Sequence, residues 1–296
     1  MSAELPTDTR VGLQVPTSFE QVPKLTRYQL REYRRSFRFL ALAGIVVAIG
    51  AIVTGVVGYY RHSPTIAPIL GSNTAFYGSL WGGGASGVIV LAAVFFGGDA
   101  IAGEFQNKTG YFLMGLPIRR TSVYLGKFAA AYLASVAMMG LYLTIVIANG
   151  VYYFGLQALP WQLGLSLLLA LLYLGAVMGA TFLFSSLFKT SAYGFVLTAV
   201  LFLFGFSLLQ TLASDLAGIE PWMVISYASS TLGNVFGSGV LWTHGHASIT
   251  AIPVGRGTIT TTTYTAGIAE GVVIMLLYLV ESFAAGLWLF GREEFT

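Results

Sequence analysis

Between Asp99 and Lys127 the chain carries a run of polar and helix-breaking residues, flanked by the uncharged apolar stretches Gly78–Phe96 and Phe128–Phe154. Glu104 stands four residues before Lys108, the spacing at which opposite charges meet on one helix face. Thr109-Gly110 then interrupts the helix, with Gly supplying backbone freedom and Thr a side-chain oxygen for capping. Tyr111–Gly115 forms a short helix that Leu116-Pro117 stops, and Ile118–Lys127 opens the next, with Arg119 and Arg120 at the headgroup level. The chemistry on offer is docking. Tyr111, Phe112, Leu113 and Met114 make an apolar knob suited to a groove on a partner; the alternative is a helix that touches only lipid.

Other candidate groups lie elsewhere. Glu270 and Glu281 fall within one apolar stretch, about 20° apart around a helix, so both share a side. Acids at membrane depth are costly and often functional. A proton or cation relay is one reading; the other is two structural acids, neutral or hydrogen-bonded to polar span residues such as Ser207 and Gln210, on a face turned to protein. His244-Gly245-His246, with Asp215 or Glu220, has the makings of a metal site, yet two loop histidines are usually only polar loop residues, and no metal is expected. Gly82-Gly83-Gly84-Ala85-Ser86-Gly87 satisfies a dinucleotide glycine pattern but lacks the preceding strand and the following acid. Gly83/Gly87 and Gly175/Gly179 read instead as small residues that let helices approach. A nucleotide phosphate loop is absent: Gly126-Lys127 is followed by Phe128, with Thr121 where the first glycine should stand.

The elements that must position these groups are helices in a membrane. The chain is 56% hydrophobic and 9% charged, against about 25% charged in soluble domains. Six apolar stretches are long enough to cross a bilayer: Phe39–Tyr60, Gly78–Phe96, Phe128–Phe154, Leu163–Phe188, Tyr193–Ala213 and Ala266–Phe290. Pro221–Trp242 is also uncharged, but its Gly, Ser and Asn content suits a short or re-entrant helix with internal hydrogen-bond partners better than a seventh span. Of the 15 Lys and Arg residues, only Arg61 and Arg256 fall outside the segments that lie in the cytosol if the N-terminus does. That asymmetry predicts both termini inside. No cleaved signal peptide is expected, and the absence of cysteine excludes disulfides and thiolate metal sites.

Residues 1–22 read as a flexible cytoplasmic tail, and residues 23–38 as an amphipathic helix. Lys24, Arg27, Arg31, Arg34, Arg35 and Arg38 occupy one arc; Leu25, Tyr28, Leu30, Tyr33 and Phe37 occupy the rest. This is the pattern of a helix in the membrane interface, its basic face toward lipid phosphate and its apolar face in the acyl boundary, and not of a nucleic-acid binder. The remainder, 39–296, is one transmembrane unit with the insert at 98–127 and a long outer loop at 214–265, whose Thr-rich Thr258–Thr265 has extended propensity.

Glu104, Lys108-Thr109-Gly110, Leu113, Leu116-Pro117-Ile118-Arg119-Arg120 and Gly126-Lys127, taken in order, resemble the signature between spans two and three of ATP-binding-cassette (ABC) transporter permeases of the second, exporter-type class. In that family a Glu precedes a Gly-Thr pair, a Leu-rich turn, Pro-x-x-Arg and Gly-Lys; here the pair is reversed to Thr109-Gly110. The resemblance is dense over about 25 residues and extends as a layout over the whole chain. It implies an all-α polytopic membrane protein: six transmembrane helices, an N-terminal interfacial helix, a cytoplasmic coupling helix between spans 2 and 3, and re-entrant elements between spans 5 and 6. It also implies a permease of the exporter kind in a prokaryotic plasma membrane. That permease would pair with itself or a sister permease and dock separate ATPase subunits at Gly103–Arg120, with Gly103, Tyr111 and Pro117 among the contacts. ATP and magnesium would belong to the partner, leaving no cofactor and no catalysis on this chain. The alternative is a secondary transporter working through Glu270 and Glu281 without an ATPase.

Overall fold

The computed structural model describes residues 18–106, 118–216, 218–237, 246–254 and 257–292. Among these, six helices are long and apolar enough to cross a membrane: Phe37–Tyr59, Asn73–Gln106, Arg120–Phe154, Gln162–Leu187, Ser191–Asp215 and Ile268–Arg292, here spans 1 to 6. The expected count holds, and Pro221–Trp242 contributes no seventh span among the described residues. Spans 2 and 3 outrun their apolar stretches because each continues through polar residues at the end next to the insert, and span 2 also starts earlier, at Asn73.

Lipid tails are as apolar as leucine, so helices in a bilayer are held by close packing and hydrogen bonds between them. Span 2 sits at the centre. Its most apolar window is 72% buried, against 17% for span 5. Small residues receive large ones from neighbouring helices: Gly84 faces the Tyr142 hydroxyl, Gly150 faces Tyr77, and Gly97 faces Met178 and Thr181. A Cβ on Gly84 would lie 2.0 Å from the Tyr142 oxygen. That hydroxyl donates to the Leu80 carbonyl at 2.7 Å, so the close approach also satisfies a polar group in apolar surroundings. Gly175 and Gly179 pack against Leu279, Ser282 and Phe283 of span 6, as small-residue contacts should. Gly83 and Gly87 do not; both face outward with nothing within 4 Å of a would-be Cβ.

Between spans 5 and 6 lie two short helices, Ile225–Ser229 and Thr231–Asn234. They are buried and richly bonded, as irregular backbone at such depth must be. Trp81 Nε1 donates to Ser166 Oγ at 2.9 Å, and Ser166 donates to the Leu232 carbonyl at 2.6 Å, joining spans 2 and 4 to the second short helix. There follows an antiparallel hairpin, His246–Val254 with Gly257–Thr265, in register His246↔Thr265 to Val254↔Gly257. The extended propensity of Thr258–Thr265 is realised, and its partner strand is 246–254.

The N-terminal helix runs Ser18–Arg35, starting before Pro23, and Ser36 caps span 1 by accepting the Phe39 N–H. The earlier start has a cause: buried Gln21 accepts the Arg119 N–H at 3.2 Å, pinning the first turn to the start of span 3.

Candidate functional site

The segment 98–106 closes the C-terminal end of span 2, just before the central insert residues. Four other spans hold it. From span 1, Arg38 forms an ion pair with Asp99. From span 3, Lys127 pairs with Glu104 and donates to the Ala100 carbonyl at 2.8 Å. From span 4, the fully buried Ser185 hydroxyl accepts the N–H groups of Ile101 and Ala102, each at 3.1 Å. From span 5, the Ser191 N–H donates to Gln106 Oε1 at 2.8 Å, and its hydroxyl donates to Asp99 Oδ2 at 3.2 Å. The result is a rigid base from which the chain departs at Gln106 and returns at Ile118.

Of the residues singled out for ATPase docking, Gly103, Glu104, Arg119 and Arg120 are described. Lys108, Thr109, Gly110, Tyr111, Leu113, Leu116 and Pro117 lie outside the described residues, as does the short helix Tyr111–Gly115. Gly103 has open space around it. The spacing rule pointed Glu104 toward Lys108, which lies outside the described residues; the structure shows Glu104 paired with Lys127, brought alongside by the antiparallel course of spans 2 and 3. Arg119 precedes the first turn of span 3, and Arg120 donates to the Gly291 carbonyl at 3.3 Å at the end of span 6.

Lys24, Arg27, Arg31, Arg34 and Arg35 on the N-terminal helix, and Arg38 at the start of span 1, are all exposed. The opposite face of the N-terminal helix is occupied by protein. Leu25 packs on Gly126, the Thr26 hydroxyl reaches the Gly126 carbonyl at 3.2 Å, and Leu30 and Tyr33 join the core. Tyr33 donates to the Phe96 carbonyl at 3.0 Å, and burial, with Asp99 adding to it, pushes its hydroxyl pKa well above the usual value. The apolar residues of the arc therefore divide: Leu25, Leu30 and Tyr33 face spans 2 and 3, and Tyr28 and Phe37 face outward.

Glu270 and Glu281 part company. Glu270, in the first turn of span 6, accepts from the Gly267 N–H at 3.3 Å and lies 3.3 Å from the Tyr227 hydroxyl, which also bonds Glu220. Glu281 is exposed on the surface of the chain. Gln210 bonds Ser226 instead of either acid. Asp215 is exposed, His244 lies outside the described residues, and no cluster of three His, Cys, Asp or Glu side chains occurs among the described ones.

Sequence reasoning missed Ser185, Ser191 and Gln106. A serine in an apolar span has many uses, and only the fold brings these three to one place. Gln106 falls inside the insert that the sequence singled out, but no spacing rule links it to a residue 85 positions away.

The sequence between residues 25 and 295 matches the model of a protein family described as ABC-2 family transporter protein. No curated protein matches the chain. The match covers most of the basic helix, from Leu25 on, all six spans and the held segment 98–106 together with the insert that follows it. This chain belongs to the ABC-2 transporter family and is the membrane-embedded permease subunit of an ABC transporter.

Proposed function

We propose that the chain forms half of an exporter's translocation path, and that each permease docks one ATPase subunit through Gly103–Arg120, with Leu113 at the contact. The observation that carries the docking assignment is the base at 98–106. Four spans fasten it, so a force applied to residues 107–117 reaches the whole bundle instead of dissipating in a loose connection. Pairing with a second permease, its own copy or a sister, is supported by the outward Gly83 and Gly87 on the otherwise most buried span, where another helix can approach closely. Nucleotide-driven closure of the ATPase pair then shifts the permease between states, which requires a different affinity for each.

The rival reading, proton-coupled transport through Glu270 and Glu281, has weaker support. One acid is tied to Tyr227 and Gly267, the other is exposed, and about 16 Å of helix separates them.

Solubilised, tagged permease tests the assignment. A stoichiometric ATPase is expected to co-purify with the wild-type chain and to be lost with Leu113→Asp, and nucleotide-powered pumping in vesicles should fall with Glu104→Lys. Flux driven by a proton gradient through the chain alone would overturn it.

A further inference from the structure

Span 5 differs from its neighbours in how it is held. Its central window is the least buried of the six, with Val196, Val200, Phe204 and Leu208 exposed. Its hydrogen bonding changes to a wider, π-type turn at Leu201–Gly205 and again at Leu212–Leu216. Such turns break the regular ladder and let a helix shift register locally.

Polar anchorage is concentrated at its two ends. At the C-terminal end, Ser226 of the first short helix donates to Gln210 Oε1 at 2.7 Å. At the N-terminal end, the held segment supplies the anchors. Thr190 gives the helix no side-chain cap, and the first N–H, that of Ser191, is satisfied by Gln106 of span 2. The Ser191 hydroxyl adds its bond to Asp99. Backbones also meet here, since a Cβ on Gly194 would lie 2.6 Å from the Gly98 carbonyl oxygen. Spans 3 and 4, by contrast, grip the same segment through Lys127 and Ser185 from within well-packed helices.

We infer that Ser191 and Gln106 are positioning residues which make the N-terminal end of span 5 follow the segment 98–106, so that span 5 is the helix displaced when the insert is pushed. The inference rests on the docking assignment above and adds which helix responds. Spans 2, 3 and 4 move as one packed body; span 5, thinly packed along its length and carrying two π turns, bends between its fastened ends. Removing the Gln106 amide leaves the Ser191 N–H without its acceptor, and the displacement is then not passed on.

The chain contains no cysteine, which permits site-directed spin labelling without background. Labels at Val196→Cys on span 5 and Leu168→Cys on span 4, both exposed, report the distance between the two helices in the co-purified complex, with and without ATP and vanadate. The expected result is a nucleotide-dependent shift of roughly 2 Å or more. A Leu133→Cys/Leu168→Cys pair across spans 3 and 4 should stay unchanged. In complexes that retain the ATPase, Gln106→Ala and Ser191→Ala/Gln106→Ala should abolish the shift, and Ser191→Thr, which keeps the hydroxyl, should retain it. A wild-type span 5 that stays fixed during hydrolysis overturns the inference, as does a shift that survives the double substitution. Should no ATPase co-purify, the docking assignment fails separately, and label mobility at Val196→Cys still decides whether the clasp exists. It must rise in Ser191→Ala/Gln106→Ala, and unchanged mobility overturns the clasp.

Discussion

Lys127 and Glu104 form an ion pair at the insert-side ends of spans 3 and 2, with side chains only 12% and 17% exposed. The same ammonium also donates to the Ala100 carbonyl, so one side chain pairs with a carboxylate and satisfies a backbone acceptor. Opposite charges so poorly solvated depend on each other, because removing one leaves the other with its desolvation cost unanswered.

Lys127→Met should therefore destabilise the chain by about 1–3 kcal/mol, the usual worth of a charge-assisted hydrogen bond lost out of water. Thermal unfolding in detergent measures it. The exchanged pair Glu104→Lys/Lys127→Glu should recover part of the loss but not all, since the Ala100 carbonyl loses its donor. Equal stability of wild type and Lys127→Met would remove the pair from any account of how the insert is held.

Gly82 and Gly233 meet backbone to backbone: a Cβ on Gly82 would lie 2.3 Å from the Gly233 Cα. Gly83, one residue on, faces open space. Gly82→Ala should cost about 1–3 kcal/mol through forced separation of span 2 from the second short helix, whereas Gly83→Ala should leave thermal stability unchanged. If Gly83→Ala instead weakens association of two permeases in cross-linking, the outward glycine face is where they meet.

The basic face of the N-terminal helix predicts lipid dependence. Each exposed Lys or Arg near an anionic surface contributes about 1 kcal/mol at moderate salt. Replacing Arg27, Arg31, Arg34 and Arg35 with Gln should reduce ATP-driven transport more in vesicles rich in anionic lipid than in neutral ones, and added salt should narrow the gap. Packing of Leu25, Leu30 and Tyr33 is untouched by these changes, so the melting temperature in detergent should hold.

Alkaline pH should reveal the buried tyrosines. Burial raises the hydroxyl pKa of Tyr33, with Asp99 adding to it; burial and the hydrogen bond to Glu220 do the same for Tyr227. Both folded values lie above the unfolded one near 10, so their contribution is complete below pH 10 and is lost as pH climbs beyond it. Stability measured from pH 9 to 11 should fall, and Tyr33→Phe should flatten part of that slope while lowering stability at neutral pH through loss of the bond to Phe96. An identical slope in Tyr33→Phe would place the alkaline loss elsewhere.

Spans and their number were legible in the sequence because a bilayer imposes a length and an apolar composition that few other structures need. The polar insert between spans 2 and 3 stood out for the same reason, as the one long charged interruption flanked by uncharged helix. The basic arc of the N-terminal helix followed from periodicity alone. What covers its other face did not follow, because Leu25 and Tyr33 suit lipid and protein equally well. Only the position of Gly126 and Phe96 in space makes them protein contacts.

Pairing is where local pattern ran out. Glu104 meets Lys127, 23 residues on, which no short spacing suggests; Glu270 and Glu281 share a helix side, yet one meets Tyr227 and the other the surface. Ser185, Ser191 and Gln106 carry no signal in an apolar chain, and they matter because three helices converge at the C-terminal end of span 2. Helix formation and membrane crossing are decided by residues within a few turns of one another, so the amino-acid order determines them directly. Which polar groups satisfy each other out of water is decided by how helices far apart in sequence cross, and only the folded bundle settles that.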